Sequence, residues 1–129
     1  MVRDEPFYRQ PHTRAQGKVG EDAGVEWLRR HGYRIVDRNV SNRVGELDVI
    51  ARDGEVLCFV EIKARSNRAY GPAIAAITAQ KKRRIARAAS LYLAHHPTDG
   101  PCRFDVLAMD LGDTGWRYTL VKDAFMVPG

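Results

Sequence analysis

Gly45-Glu46-Leu47-Asp48-Val49-Ile50-Ala51-Arg52-Asp53-Gly54-Glu55-Val56-Leu57-Cys58-Phe59-Val60-Glu61-Ile62-Lys63 is the stretch whose reading decides the fold. Two β-type runs flank Asp53-Gly54, a strong signal for a tight hairpin turn. Side chains alternate along a strand, so Glu46 and Asp48 share one face of the first run, and Glu61 and Lys63 one face of the second. Val56 to Val60 is unbrokenly apolar, as in a strand covered on both faces. Such a strand should not end in Glu61-x-Lys63 unless that end opens on a polar site.

Asp48 and Glu61, from neighbouring strands, can converge on one hard divalent cation such as Mg²⁺ or Mn²⁺. Lys63, two residues on, can hold a phosphate or an attacking water. Together these are the minimum equipment for metal-assisted phosphodiester hydrolysis.

The chain of 129 residues is one domain, and its apolar fraction of 44% is ordinary for a globular protein. It has no apolar run long enough to span a bilayer and no secretory signal pattern, so a soluble, cytoplasmic protein is expected. Cys58 and Cys102 both lie in strand-like runs and read as small buried side chains, not as a disulfide or zinc site. The formal net charge is +5, and no Asp or Glu occurs between Ala64 and Thr98. Arg65, Arg68, Lys81, Lys82, Arg83, Arg84 and Arg87 all lie in that interval. A one-sign stretch of this length either favours a polyanion or serves solubility.

Residues 1 to 16, with Pro6, Pro11 and no apolar period, read as a flexible tail, leaving 17–129 as the domain. Gly17 to His31 is helical, and Gly32 is its stop. Val19, Ala23, Val25, Trp27 and Leu28 form its apolar arc, and Glu21 falls inside that arc. A carboxylate there either snorkels to the edge or reaches the metal site as a third acid.

Tyr33 to Val40 reads as a strand with Ile35 and Val36 as its core, and Ser41-Asn42-Arg43 as a turn. After the hairpin, Arg65 to Pro72 is a polar loop in which Arg65 and Arg68 suit phosphates and Tyr70 can stack on a base. Ala73 to His95 is the longest helix, with a core stripe through Ile74, Ile77, Ile85, Ala88, Ala89 and Tyr92. Lys81 sits within that stripe, aimed at the acid cluster or snorkelling to the edge. Arg83 and Arg87 lie opposite, with Lys82 and Arg84 on the flanks. Cys102 to Leu111 and Trp116 to Val121 are further strands. Arg103 and Asp105 share a face; they form an ion pair, or Asp105 orients a site group. The first three strands should be antiparallel, and the long helix can return the chain to lay the Cys102 strand parallel to a neighbour. The expected architecture is an α/β fold: a mixed sheet with helices on both faces, in the order αβββαβ.

That order, with Asp48 in the second strand and Glu61-x-Lys63 in the third, resembles the PD-(D/E)XK nuclease superfamily, the restriction-endonuclease-like fold. The sequence is closer still to the bacterial YraN family, described as predicted endonucleases related to archaeal Holliday junction resolvases. The resemblance is carried by Gly17-Lys18-Val19-Gly20-Glu21, Gly32-Tyr33, Asn39, Gly45 to Ile50, Phe59 to Arg65, Tyr70-Gly71, Lys81, Tyr92-Leu93 and Cys102 to Val106. It implies that Asp48 and Glu61 bind the metal, Lys63 is the catalytic lysine, Glu21 the helix-borne acid and Lys81 a basic site position. The Pro-Asp of the superfamily name is Leu47-Asp48 here. A DNA endonuclease using Mg²⁺ or Mn²⁺ is the implied function, with branched DNA among its substrates and a twofold dimer if it resolves junctions. Arg65, Arg68, Tyr70, Lys82, Arg83 and Arg87 are the candidate nucleic-acid contacts. The rival readings are a nucleic-acid-binding module without turnover and an adaptor keeping the fold.

Overall fold

The computed structural model describes residues 8–9, 15–66 and 71–126, with the backbone alone for 8–9 and 15–19. The elements run β1 (Tyr8–Arg9), α1 (Ala15–Arg30), β2 (Arg34–Asn42), β3 (Gly45–Asp53), β4 (Val56–Arg65), a 3₁₀ turn (Ala73–Ala76), α2 (Ala79–His95), β5 (Cys102–Gly112) and β6 (Gly115–Val121). They build one six-stranded sheet in the order β1-β2-β3-β4-β5-β6. All neighbours are antiparallel except β4 and β5, which are parallel and joined through α2. The fold is thus α/β, a mixed sheet consistent with the restriction-endonuclease-like architecture, and the αβββαβ order lies within it. The short strand β1, which pairs Tyr8 with Ser41 and Arg9 with Val40, adds an edge where the sequence shows no apolar period.

The two faces of the sheet carry separate cores because β4 alternates between them. Leu57 and Phe59 pack with Ile85, Ala88, Ala89 and Tyr92 of α2. Cys58 and Val60 pack with Val25 and Leu28 of α1. Being apolar on both faces, β4 is the central strand that its sequence indicates. Gly24 of α1 lies so near the sheet that an added Cβ would stand 3.1 Å from Ile62 Cδ1 and from Met109 Sδ.

Four local expectations need correction. Val36 is 48% exposed, because the β2–β3 register shifts by one residue between Ile35 and Asp37. Val36 is the extra residue of a β-bulge, which turns it out of the core. The hairpin turn falls one residue late: Asp53 pairs with Val56, so Gly54 (φ +62°) and Glu55 form the loop. Cys102 is exposed, at the first residue of β5, whereas Cys58 is fully buried.

The long helix is also shorter than its apolar stripe. Ile77 is extended, Thr78 is the N-cap, and Ile74 is 38% exposed. Thr78 Oγ1 accepts the Lys81 N–H at 3.1 Å, satisfying a donor that has no carbonyl partner inside the helix. Thr78→Ala should cost about 1 kcal/mol of stability, read as a lowered urea midpoint with unchanged slope.

Candidate active site

β3 and β4 stay paired from Asp53–Val56 up to Val49–Val60. Continuing that register sets Asp48 opposite Glu61. There the Asp48 side chain enters the ladder: Oδ2 accepts the Ile62 backbone N–H at 2.9 Å. The Asp48 and Glu61 side chains line the same cavity, and the Glu61 charge is felt at Asp48. Burial, then the Glu61 charge, push the Asp48 carboxyl well above the usual carboxylate range, against the pull of the Ile62 N–H.

Glu61 is 4% exposed and is compensated from α2, where Lys81 Nζ stands 2.8 Å from Oε2. Thr78 starts the helix so that position 81 completes its first turn and faces the sheet. Burial disfavours the Lys81 ammonium, but Glu61, Asp48 and Glu46 together hold its pKa above the ordinary lysine value. The inward orientation of Lys81 is therefore the one adopted.

Asp48, Glu61 and Lys81 line a cavity of about 710 Å³ between the β2–β3 turn and the start of α2. Asn42 builds that turn. Its Oδ1 accepts the Val44 and Gly45 N–H groups at 3.0 and 3.2 Å, and its Nδ2 donates to the Ala88 carbonyl of α2 at 3.2 Å. The sequence offers Asn42 as a turn residue; its bond to the helix joins residues 46 apart.

The remaining sequence candidates are distributed around this centre. Lys63 is half-buried on β4, on the face it shares with Glu61, and does not line the cavity. Glu21 of α1 bonds Arg38 of β2, whose Nη2 lies 3.2 Å from Glu21 and 2.7 Å from Asp22. Its charge is still felt at Asp48, which it raises further. Among the described residues no three His, Cys, Asp or Glu side chains converge as a metal site, so the acid centre is the pair Asp48 and Glu61.

Arg65 is half-buried, with its Nε enclosed and without a hydrogen-bond partner. Arg68 and Tyr70 lie outside the described residues. Lys82 stands 6.0 Å from the Phe125 ring centre, while Arg83 and Arg87 are exposed along α2. Arg38 and Arg84 are site neighbours that the sequence pattern did not single out; nothing local marks the first, which is recruited across elements.

The acid pair fits a hard divalent cation. Two carboxylates held against each other have excess negative charge to share, and Mg²⁺ is commonly held by one or two carboxylates with water and phosphate oxygens completing the shell.

Comparison with known proteins places the sequence in a family. Residues 20–109 match the profile described as "Uncharacterised protein family UPF0102". The UPF0102 protein STH1475 of Symbiobacterium thermophilum is 50% identical over 115 residues, covering 88% of this chain and 98% of its own. The UPF0102 protein BAV3162 of Bordetella avium is 48% identical over 129 residues, covering 99% of this chain and 82% of its own. The protein HEAR0176 of Herminiimonas arsenicoxydans is 35% identical over 123 residues, covering 94% and 99%. Asp48, Glu61 and Lys81 all fall inside the matched segment, and the chain belongs to the UPF0102 family, the YraN family that its motifs resemble.

Proposed function

We propose that this protein is a metal-dependent endonuclease that hydrolyses phosphodiester bonds in DNA, with branched, Holliday-junction-like DNA first among the substrates to test. The observation that carries the reading is that Asp48 and Glu61 meet in register where β3 and β4 part and line one cavity open to solvent. Two acids forced together in a partly buried site weaken the fold unless a cation joins them. Mg²⁺ or Mn²⁺ bound there would neutralise phosphate charge and acidify an attacking water.

The chain's own groups divide the remaining work. Asp48 and Glu61 are the ligands, and the Ile62 N–H fixes the orientation of the Asp48 carboxylate. Lys81 holds Glu61 in place and offsets its charge. Lys63, on the same face of β4, supplies an ammonium group that positions the water or steadies charge developing on the phosphate. Glu21, fixed by Arg38, adds to the negative field at Asp48. Arg65, Arg83 and Arg87 supply phosphate contacts along the strand. No helix among the described residues is long and apolar enough to cross a membrane, which suits action on cytoplasmic DNA. A twofold dimer would provide the second site that symmetric junction cutting needs.

One observation favours a different reading. Lys81 already satisfies Glu61, so the acids could serve the fold in a binding module without turnover. Metal binding separates the two. If the acids are ligands, saturating Mn²⁺ raises the melting temperature of the wild type, by the equivalent of about 2.7 kcal/mol at a hundredfold excess over Kd. Glu61→Gln removes that rise. Lys63→Ala keeps the rise but lowers the cleavage rate by about 10²–10³. A wild type whose melting is indifferent to Mg²⁺ and Mn²⁺ would favour the binding module.

A further inference from the structure

The cavity at the acid pair is larger than an ion requires. About 710 Å³ falls within the range of pockets that seat whole small ligands. Asp48 and Glu61 line it together with Ser41 near the end of β2, Arg43 in the β2–β3 turn and Arg84 on α2.

Three features mark Ser41, Arg43 and Arg84 as built to hold something. First, Arg43 and Arg84 make no ion pair or hydrogen bond among the described residues, whereas Arg38, Lys81 and Arg103 are all paired with acids. Two guanidinium groups kept unpaired at the mouth of one cavity suit a phosphate. Second, Arg84 is not a loose surface charge. The turn rides against its stem, so that a Cβ added to Gly45 would stand 3.0 Å from Arg84 Cγ and 3.4 Å from the Arg84 carbonyl. Third, Ser41 is 1% exposed, and its Oγ has no hydrogen-bond partner. A hydroxyl buried without a partner destabilises the fold, and this one belongs to a residue that lines the cavity. The first turn of α2, which contains no acid, faces the same space and adds the positive end of a helix dipole.

We propose that Arg43, Arg84 and Ser41 form a second phosphate subsite, which holds the backbone phosphate adjacent to the one bound at Asp48 and Glu61 and seats one nucleotide of a DNA strand in the cavity between them. The proposal rests on the nuclease reading for its neighbouring phosphate, but binding tests it without cutting.

The test is fluorescence anisotropy of labelled single-stranded and four-way-junction DNA with the full chain in EDTA, over a series of salt concentrations. The Arg43→Gln/Arg84→Gln variant should bind 10–100-fold more weakly at about 0.1 M salt. Its slope of log K against log salt should be shallower by about 0.7–0.9, the value of one phosphate contact. Arg29→Gln/Arg30→Gln, with two exposed charges removed from α1, should match the wild type. Ser41→Ala should bind several-fold more weakly while its melting temperature stays level or rises, an outcome that a purely structural serine would not give. An unchanged slope in the Arg43/Arg84 variant overturns the subsite. So does equal weakening in the Arg29/Arg30 control, or a wild type that binds neither DNA. If the slope shifts as expected yet the wild type cuts nothing in Mg²⁺, the subsite stands and the nuclease reading falls.

Discussion

Asp48→Asn is expected to remove cleavage while making the metal-free protein more stable. The asparagine keeps an oxygen that can accept the Ile62 N–H, so the β3–β4 junction should hold its shape. It loses the charge that would bind a cation, and the cleavage rate should fall by at least about a thousandfold. The stability effect has the opposite sign. Burial and Glu61 raise the folded Asp48 pKa above its unfolded value. The fold therefore holds this proton more tightly than the unfolded chain does. Stability is lost as pH rises from near 4, the unfolded value, through the raised folded value. Asparagine does not ionise and escapes that loss. At neutral pH without metal the variant should gain about 1–2 kcal/mol, a rise of a few degrees in melting temperature. Calorimetry in EDTA reads this directly. A variant less stable than the wild type would mean that Asp48 is a structural acid. This trade of stability against activity is what separates a functional carboxylate from a packed one.

Asp105→Ala is expected to be the most destabilising single change. Asp105 is fully buried on β5 and satisfied on every side. Arg103 donates to it twice, Nε to Oδ1 at 2.7 Å and Nη2 to Oδ2 at 2.9 Å. Tyr33 donates its hydroxyl to Oδ2 at 2.7 Å, and the Asp123 N–H to Oδ1 at 2.9 Å. The cluster ties the start of β2, β5 and the segment after β6 together. Burial alone would raise the Asp105 pKa, but the Arg103, Asp123 and Tyr33 hydrogen bonds outweigh it and hold the carboxyl below its ordinary value. Truncation leaves the half-buried Arg103 and the buried Tyr33 hydroxyl short of partners, at a cost of about 3–5 kcal/mol. That is a large part of the 5–15 kcal/mol typical of a domain, so melting should fall by roughly 10–20 °C.

The pH signature has a fixed direction. A depressed folded pKa contributes stability above the unfolded value of about 3.9, and that contribution disappears as pH falls through the folded value. Asp105→Asn should therefore flatten the acid limb of the stability curve below about pH 4 relative to wild type. An acid limb of unchanged slope would remove Asp105 from the groups that drive acid unfolding.

The parts legible in the sequence are those set by local spacing. Two β-type runs around an Asp-Gly pair fix a hairpin, but a turn at Asp53-Gly54 would set Asp48 opposite Phe59; the loop at Gly54-Glu55 is what brings Asp48 opposite Glu61. Lys81 lies four residues before Ile85 on α2, and that spacing turns it towards the sheet. Arg103 and Asp105, two apart on a strand, form the ion pair that their shared face allows. What the sequence hid depends on contacts between distant elements. The bulge that ejects Val36 is a property of the pairing of β2 with β3, not of Val36 itself. Thr78 caps α2, but the apolar stripe through Ile74 and Ile77 runs across it and places the expected helix start too early. Glu21 falls in the apolar arc of α1, and its capture by Arg38 of β2 could not be inferred from either segment alone. Arg84 looked like one of four consecutive cations. Only the packing of Gly45 against its stem sets it apart.

The central claim is that Asp48 and Glu61 form a metal site that cuts DNA. Its most direct measurement is a cleavage time course on labelled four-way-junction, flap, single-stranded and linear duplex DNA, with Mg²⁺, with Mn²⁺ and with EDTA. Wild type runs beside Asp48→Asn and Lys63→Ala, each confirmed as folded by circular dichroism. The account predicts cutting by wild type that requires the divalent ion and is lost in both variants. Cutting that survives in Asp48→Asn, or a folded wild type that binds these DNAs and cuts none of them with either metal, would contradict it.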